Sequence, residues 1–141
     1  MDMLRRMFEK KRPPAPKDLP HFIYIMLPEA IGPTERYDQY GDPIDAELQL
    51  TGLGCVSGGG TATGPEDADG IEKIYGCGVD VDTHDLNGAR TLLRQHLPSL
   101  GCPIGTELQF QVDGVHRHDL FDGSHWALDL PVTVVDQRDD D

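Results

Sequence analysis

The sequence contains two similar halves, and this internal repeat constrains the fold more than any other feature. Ile23-Tyr24 opens an apolar run, and Leu53-Gly54-Cys55 follows thirty residues later. Ile74-Tyr75 opens a second apolar run, and Leu100-Gly101-Cys102 follows twenty-six residues later. Each half is predicted to form a strand, a helix and a strand, and a duplicated unit of this kind is typical of the split βαβ pattern. We therefore predict an α+β, ferredoxin-like fold (βαββαβ): an antiparallel sheet with two helices on one face and extra C-terminal strands.

Local patterns indicate where the elements begin and end. Asp42-Pro43 resembles a helix start, with Asp42 as the N-cap after a polar loop over 28–41, and this short helix ends at Gly52 or Gly54. An apolar stripe predicts the longer helix over 85–100, with Thr83 or Asp85 as its cap. The predicted strands are 21–27, 55–64, 74–83, 106–112, 115–121 and 126–135.

Charge divides the chain into three parts. Residues 1–20 hold six Lys/Arg against three Asp/Glu and include Pro13-Pro14-Ala15-Pro16, which predicts a basic leader and Pro-rich linker. Residues 21–135 are predicted to form a single domain, and 136–141 an acidic tail. Because the whole chain carries a net charge of −13, its acidic body is expected to repel nucleic acid and anionic membranes and to attract basic proteins.

The same sequence lacks an apolar run of the roughly 18 residues needed to cross a membrane, and its first residues do not resemble a secretory signal. These features predict a cytoplasmic protein.

Two acidic regions are the first candidates for binding a basic partner. One is a predicted turn with Glu66, Asp67 and Asp69, and the other is the solvent-facing side of a strand with Asp80 and Asp82. A third region combines Trp126 with Asp119 and Asp122. Trp126 is predicted to be an aromatic anchor, since tryptophan is enriched among the residues that dominate binding energy at interfaces.

Histidines offer an alternative site. His116 and His118 are two residues apart, so on a strand both face the same way, and His125 lies across a predicted turn from them. Two or three imidazoles with a nearby acid suit Zn²⁺, and a zinc-bound water could be hydrolytic. The alternative prediction is therefore a small-ligand or zinc-binding domain centred on these histidines; otherwise we expect no cofactor.

Glycines and cysteines carry weaker signals. The glycines of 52–60 follow a helix and enter a strand, with no nearby lysine, so they do not fit a phosphate-binding loop; they leave room for close approach by a backbone or ligand. A hairpin turning near Asp67 would bring Cys55 and Cys77 close enough to pair, whereas the simpler interpretation is that Cys55, Cys77 and Cys102 are reduced and buried. No serine has the context of a hydrolase nucleophile, so an enzyme is not the favoured interpretation.

Three short motifs carry a resemblance. They are Leu53-Gly54 to Thr61, Tyr75 to Val81, and Leu100-Gly101 to Leu108. Over about residues 21–115 the chain resembles a set of small uncharacterised bacterial proteins, and in size and charge it is also similar to the immunity proteins that neutralise polymorphic toxins. The second resemblance implies a non-enzymatic inhibitor that occludes a basic partner, such as a toxin domain. A homodimer pairing through sheet edges or faces is a third hypothesis.

Overall fold

The structure, a computed structural model, describes residues 19–66 and 72–132. The predicted basic leader, the turn residues Asp67 and Asp69, and the acidic tail lie outside the described residues. The strands are β1 (His21–Leu27), β2 (Gly54–Glu66), β3 (Glu72–Thr83), β4 (Glu107–Val112), β5 (Val115–Phe121) and β6 (Trp126–Pro131). The helices are α1 (Pro33–Arg36), a π-helical turn (Tyr37–Gly41), α2 (Asp42–Thr51) and α3 (Leu86–Ser99).

All six strands form one antiparallel sheet in the order β2-β3-β1-β4-β5-β6. The predicted α+β class is confirmed. Strand β5 has the predicted bounds, and the Asp113-Gly114 turn before it has positive φ at both residues (51° and 80°), as a tight type I′ hairpin requires. Strand β6 ends at Pro131, four residues before the predicted end.

The helices cover one face of the sheet, because their buried residues and every second residue of the central strands form a single core. Strand β1 contributes Ile23, Ile25 and Leu27, all fully buried. The remaining buried members of this core are Tyr40, Ile44, Leu48, Cys77, Val79, Val81, Ala89, Leu93, Leu97, Cys102, Leu108, Phe110 and Phe121. The alternate residues of the strands therefore face away from the helices.

Helix α2 begins at Asp42, as the sequence indicates, but the predicted Asp42 cap after a loop is wrong, because the helical segment already begins at Pro33 and continues through Asp42. Asp42 is itself helical (φ −67°, ψ −47°), and no side-chain hydrogen bond caps α2. The predicted loop is helical from Pro33 because Pro33 suits the first helical position and Tyr40 extends the apolar stripe one turn before Ile44. The Tyr40 hydroxyl is satisfied by donating to Glu29 at 2.8 Å.

Helix α3 begins as predicted, at an Asp85 cap whose carboxylate accepts a hydrogen bond from the Gly88 amide. Near its end, Pro98 lacks the N–H that would bond the carbonyl of Arg94 four residues earlier. The indole N–H of Trp126 donates to that carbonyl instead, at 3.0 Å. Trp126 thus replaces a hydrogen bond that the proline removes.

This replacement predicts energetic coupling between Trp126 and Pro98. We expect Trp126→Phe to lower the free energy of unfolding by about 1–2 kcal/mol, because it leaves the Arg94 carbonyl unpaired. In a Pro98→Ala background the restored N–H can bond that carbonyl, so the same substitution should cost roughly 0.5–1 kcal/mol less. Urea denaturation of the four proteins measures the coupling, and equal costs in both backgrounds would contradict it.

Strand β2 is an edge strand of the sheet, and side chains of the helical segment 33–51 form hydrogen bonds with backbone groups on its outer edge. The Val56 amide donates to Asp45 at 2.8 Å, and Arg36 donates to the Gly60 carbonyl at 2.9 Å. Arg36 fits there because Gly59 has no side chain; a Cβ at Gly59 would lie 3.0 Å from the Arg36 Nε. These contacts reduce the exposure of unpaired backbone that makes edge strands prone to aggregation.

None of the helices within residues 19–66 and 72–132 is long and apolar enough to cross a lipid bilayer.

Candidate protein-binding face

The sheet face turned away from the helices, called the open face below, carries polar and aromatic side chains in two cross-strand rows. Directly paired strand residues share a face, so the ladder registers define each row. The first row runs from β2 to β6 as Gly58, Asp80, Tyr24, Gln109, His118 and Leu130. The second contains Cys55, Asp82 and Phe22 on β2, β3 and β1, followed by Gln111 and His116 on β4 and β5.

Two carboxylates and two aromatic rings meet on adjacent strands of this face. Tyr24 pairs with Asp80, and Phe22 pairs with Asp82. The Tyr24 ring lies across Gly78, so close that a Cβ at that glycine would overlap the hydroxyl and ring atoms of Tyr24. Burial, followed by the nearby charge of Asp80, raises the pKa of Tyr24 above 10.0. Phe22 is 49% exposed, a high value for an aromatic residue of a central strand.

A groove opens on this face where β1 and β4 separate. Their ladder ends at the Tyr24–Gln109 pair, so Phe22 and Gln111 lie in the same row without strand pairing. The groove has a volume of about 350 Å³. Its lining residues are Pro20, His21, Phe22, Tyr24, Gln109, Phe110, Gln111 and His116.

Internal contacts engage every arginine in the region where side chains are described, residues 19–61 and 76–132. Arg36 is buried beside Gly60, with its guanidinium 5.0 Å from the Tyr37 ring centroid. Arg90 and Arg94 bind Asp119, and Arg117 binds Asp129. Since this region contains no lysine, its unpaired carboxylates dominate the surface charge.

The structure places Asp119 in the core, so it is not available to a partner as predicted. Its side chain is fully buried and accepts hydrogen bonds from Arg90 at 2.7 and 2.9 Å and from Arg94 at 3.0 Å. The Asp129 amide donates a further bond at 2.8 Å. Burial raises the pKa of Asp119, but the bonds from Arg90, the Asp129 amide and Arg94 outweigh it and lower the pKa below its ordinary value.

Trp126 also serves the fold, whereas Asp122 remains on the surface. The Trp126 ring is half-buried, packs 5.0 Å from the Phe121 ring and bonds the Arg94 carbonyl, so little of it can anchor a partner. Asp122 is exposed, and hydrogen bonds from the amides of His125 and Ser124 lower its pKa. Asp122 therefore stabilises the turn between β5 and β6.

The three predicted zinc ligands do not come together. His116 and His118 share the open face as predicted, but the His125 carbonyl accepts a hydrogen bond from Asp122, four residues beyond His118. At about 3.3 Å per residue, His125 lies roughly 13 Å along the strand from His118. In the described part of the chain, no three His, Cys, Asp or Glu side chains are close enough together to hold a metal ion.

The cysteines are free, and Cys55 and Cys77 do not pair. Cys55 lies opposite Asp82, whereas Cys77 lies opposite Thr61, so six residues of the ladder separate the two thiols. Burial raises the pKa of all three cysteines, most directly for Cys77 and Cys102, whose side chains are in the core. Raised pKa values and burial are the opposite of what a reactive thiol requires.

The acidic strand face is arranged as predicted: Asp80 and Asp82 share the open face and are half-buried there. Glu66 is the last residue of β2 and lies opposite Glu72. Sequence reasoning missed Phe22 and Tyr24, because the continuous apolar run of β1 indicates burial on both faces. Their exposure could have been inferred from the neighbouring strand, whose Gly78, Asp80 and Asp82 mark one face as solvent-facing.

The chain matches no family model, and neither a curated protein nor a solved structure shows significant similarity to it.

Proposed function

We propose that this chain is a cytoplasmic, non-enzymatic binding protein that recognises a basic partner protein on its open face and occludes the partner's functional surface, as immunity proteins do. In this proposal β2-β3-β1-β4 form a ferredoxin-like core, and β5 and β6 widen the face on which the partner docks. The central contacts are Asp80, Asp82, Phe22 and Tyr24. In the sequence, Glu66, Asp67 and Asp69 add further negative charge next to β2, and we include them in the proposed partner-binding set.

The observation that carries the proposal concerns residues 19–61 and 76–132, in which no free lysine or arginine lies beside Asp80 and Asp82. Arg36, Arg90, Arg94 and Arg117 are all used within the fold, so they do not neutralise the open face. A surface with a field of one sign accelerates the encounter with an oppositely charged protein and rejects partners of like charge. The excess negative charge therefore selects basic proteins and disfavours nucleic acid.

The aromatic rings beside the aspartates make the open face suited to binding arginine side chains. A guanidinium group stacks on aromatic rings and forms paired hydrogen bonds with carboxylates. Tyr24 beside Asp80, and Phe22 beside Asp82, provide both features within single cross-strand pairs. We expect arginine side chains of the partner to occupy these two positions.

The test is a pull-down of the tagged full-length chain from its native lysate, comparing wild type with the double variant Asp80→Lys/Asp82→Lys. We expect a basic protein to bind the wild type and to lose roughly tenfold to a hundredfold in affinity for the variant, mainly through slower association. Affinity for the purified partner should also fall as salt is raised.

The matched control is Glu35→Lys/Asp38→Lys, which makes the same charge change at two exposed residues of the helical layer. The control should retain the partner, because its substitutions lie away from the open face. Equal losses of affinity in both double variants would indicate that binding depends only on the net charge of the chain. Undiminished binding by Asp80→Lys/Asp82→Lys would contradict the proposed face.

A further inference from the structure

The open face carries a second polar stripe, made of imidazole side chains, in the same rows as its own aspartates. Asp80 and Asp82 lie on β3, and His118 and His116 lie in the same two rows on β5. Between them are the aromatic residues of β1 and the glutamines of β4. Strands β3 and β5 are each one strand away from the central pair β1 and β4. The acidic and imidazole stripes are therefore equidistant from the middle of the face.

A two-fold axis parallel to the strands would bring these stripes together. Such an axis, placed over the boundary between β1 and β4, puts β3 of one copy over β5 of the other. Each cross-strand row then faces the same row of the second copy. Asp80 then faces His118 of the second copy, and Asp82 faces its His116. In the middle, Tyr24 and Phe22 face Gln109 and Gln111.

The third row has matching shapes under the same operation. Gly60 and Gly78 are paired on β2 and β3, and Leu120 and Ala127 are paired on β5 and β6. The axis sets Gly60 against Ala127, so a bare strand backbone meets an apolar side chain, and it sets Leu120 against the Tyr24 ring that lies across Gly78. Space above Gly60 is open, since a Cβ there would meet no atom within 4 Å.

We propose that the open face binds a second copy of this chain, in a two-fold symmetric dimer whose axis runs along the strands. The charge distribution of the open face favours this axis over a two-fold axis that runs across the strands. A two-fold axis across the strands would instead place the β3 aspartates of the two copies against each other, which is repulsive. An isologous interface requires a self-complementary surface, and the two stripes provide one.

The size of the face indicates a weak, reversible dimer. Six strands about 4.8 Å apart and three rows about 6.8 Å apart give a footprint of roughly 29 by 20 Å per copy. The total buried area is on the order of 1,000 Å², close to the lower limit for specific interfaces. Because each copy has a net charge of −13, long-range repulsion also opposes the dimer.

Association is expected to strengthen as the pH falls from 8 to 6, where imidazole groups gain a proton. On the same copy, the two rows that contain His118 and His116 hold four other titratable groups: Asp80, Asp82, Tyr24 and Cys55. Glu107 lies in the neighbouring third row. Within a copy, His116 contacts Gln111, and His118 lies between Gln109 and Leu130. Carboxylates of the second copy would therefore be the charged groups placed directly against His116 and His118.

The dimer would also regulate the proposed function, because it hides the residues that bind the basic partner. A second copy and the partner would compete for Asp80 and Asp82. The dimer itself does not depend on the existence of the partner, so the two proposals can fail separately.

A charge-swap experiment with full-length protein tests the dimer. We compare wild type, the variant Asp80→Lys/Asp82→Lys, the variant His116→Asp/His118→Asp, and an equimolar mixture of the two variants, by sedimentation velocity at pH 6 and pH 8. Wild type should dimerise at least fivefold more tightly at pH 6. Each variant alone should be monomeric, because lysine then faces histidine, or aspartate faces aspartate.

The mixture should restore the dimer, because lysine of the first variant faces aspartate of the second while the native aspartates and histidines face each other at the remaining contacts. Circular dichroism and thermal melting establish that each variant is folded. If a charge reversal prevents folding, the neutral pair Asp82→Asn and His116→Gln replaces it, and each should weaken the wild-type dimer severalfold at pH 6.

Three results would overturn the proposal. The first is a wild-type chain that stays monomeric at pH 6 at several hundred micromolar. The second is a dimer that survives the charge reversals, or both neutral substitutions, unchanged. The third is a mixture of folded variants that remains monomeric.

Discussion

Replacing Asp119 with asparagine is expected to lower the free energy of unfolding by about 3–5 kcal/mol, since removing one member of a buried ion cluster leaves the other charges uncompensated. Asp119 is fully buried and bonds both Arg90 and Arg94 of α3. The guanidinium of Arg90 also lies over the Phe110 ring at 4.1 Å, which fixes it in the same site. The substitution therefore disturbs the attachment of α3 to both β4 and β5.

The control for this substitution is Asp42→Asn, which removes a carboxylate from an exposed position on α2. We expect it to change stability by less than about 1 kcal/mol. Urea denaturation at pH 7 measures both changes. Similar costs for the two variants would show that the Asp119 cluster contributes little beyond an ordinary surface charge.

The effect of Asp119 on stability should depend on pH in one direction. Its pKa in the folded protein is lower than the ordinary value of 3.8, so its ionised form stabilises the fold at pH values above 3.8. The stability difference between wild type and Asp119→Asn should be constant from pH 7 to about pH 5. It should decrease only as the pH falls below about 4 toward the lowered pKa, because the unfolded carboxylate then takes up a proton while the folded one stays ionised.

The internal repeat predicted the fold class because each half supplies its own strand, helix and strand. The Asp113-Gly114 turn and the Asp85 cap were also predictable, since their chemistry involves residues that are close in the sequence. The start of the first helical segment was missed for a related reason: Asp42-Pro43 is a strong local signal, but burial of Tyr40 extends the helix before it. Tertiary packing there outweighs the local cap.

The candidate site was less predictable because it depends on contacts between distant elements. Asp119 lies in an acidic, histidine-rich segment that suggests a surface, yet Arg90 and Arg94 on α3 bring it into the core. Trp126 likewise depends on a carbonyl that Pro98 leaves unpaired. Neither contact has a signature in the local sequence of β5 or β6.

Register was the other source of error. Between Val56 and Gly58 the pairing of β2 with β3 shifts by one residue, and the hairpin as a whole sets Cys55 opposite Asp82. A turn placed a few residues away predicts a different set of neighbours, including the Cys55–Cys77 pair. Asp80 and Asp82 were predictable because their alternation with Val79 and Val81 depends only on the strand period of two.

Gly78→Ala is expected to displace Tyr24 from the centre of the open face, which makes this glycine a test of how the face is built. A Cβ at Gly78 would overlap the Tyr24 hydroxyl and ring, so the ring must move outward. We expect a loss of about 1–3 kcal/mol in the free energy of unfolding, as for other overpacked sites. The pKa of Tyr24 should fall toward 10.0, because the phenol becomes more exposed and moves away from Asp80.

Gly60→Ala provides the matched control, because Gly60 is the direct partner of Gly78 in the β2–β3 ladder and its Cβ would enter open space. That substitution should change stability by no more than about 0.5 kcal/mol and leave the Tyr24 titration unaltered. Carbon NMR of the tyrosine ring during a pH titration, together with urea denaturation, separates the two variants. If both glycines respond alike, the close fit of Tyr24 on Gly78 is not what orients the ring. A selective response at Gly78 would instead mean that the bare backbone of β3 holds an aromatic side chain beside Asp80, where a cationic partner can stack on it.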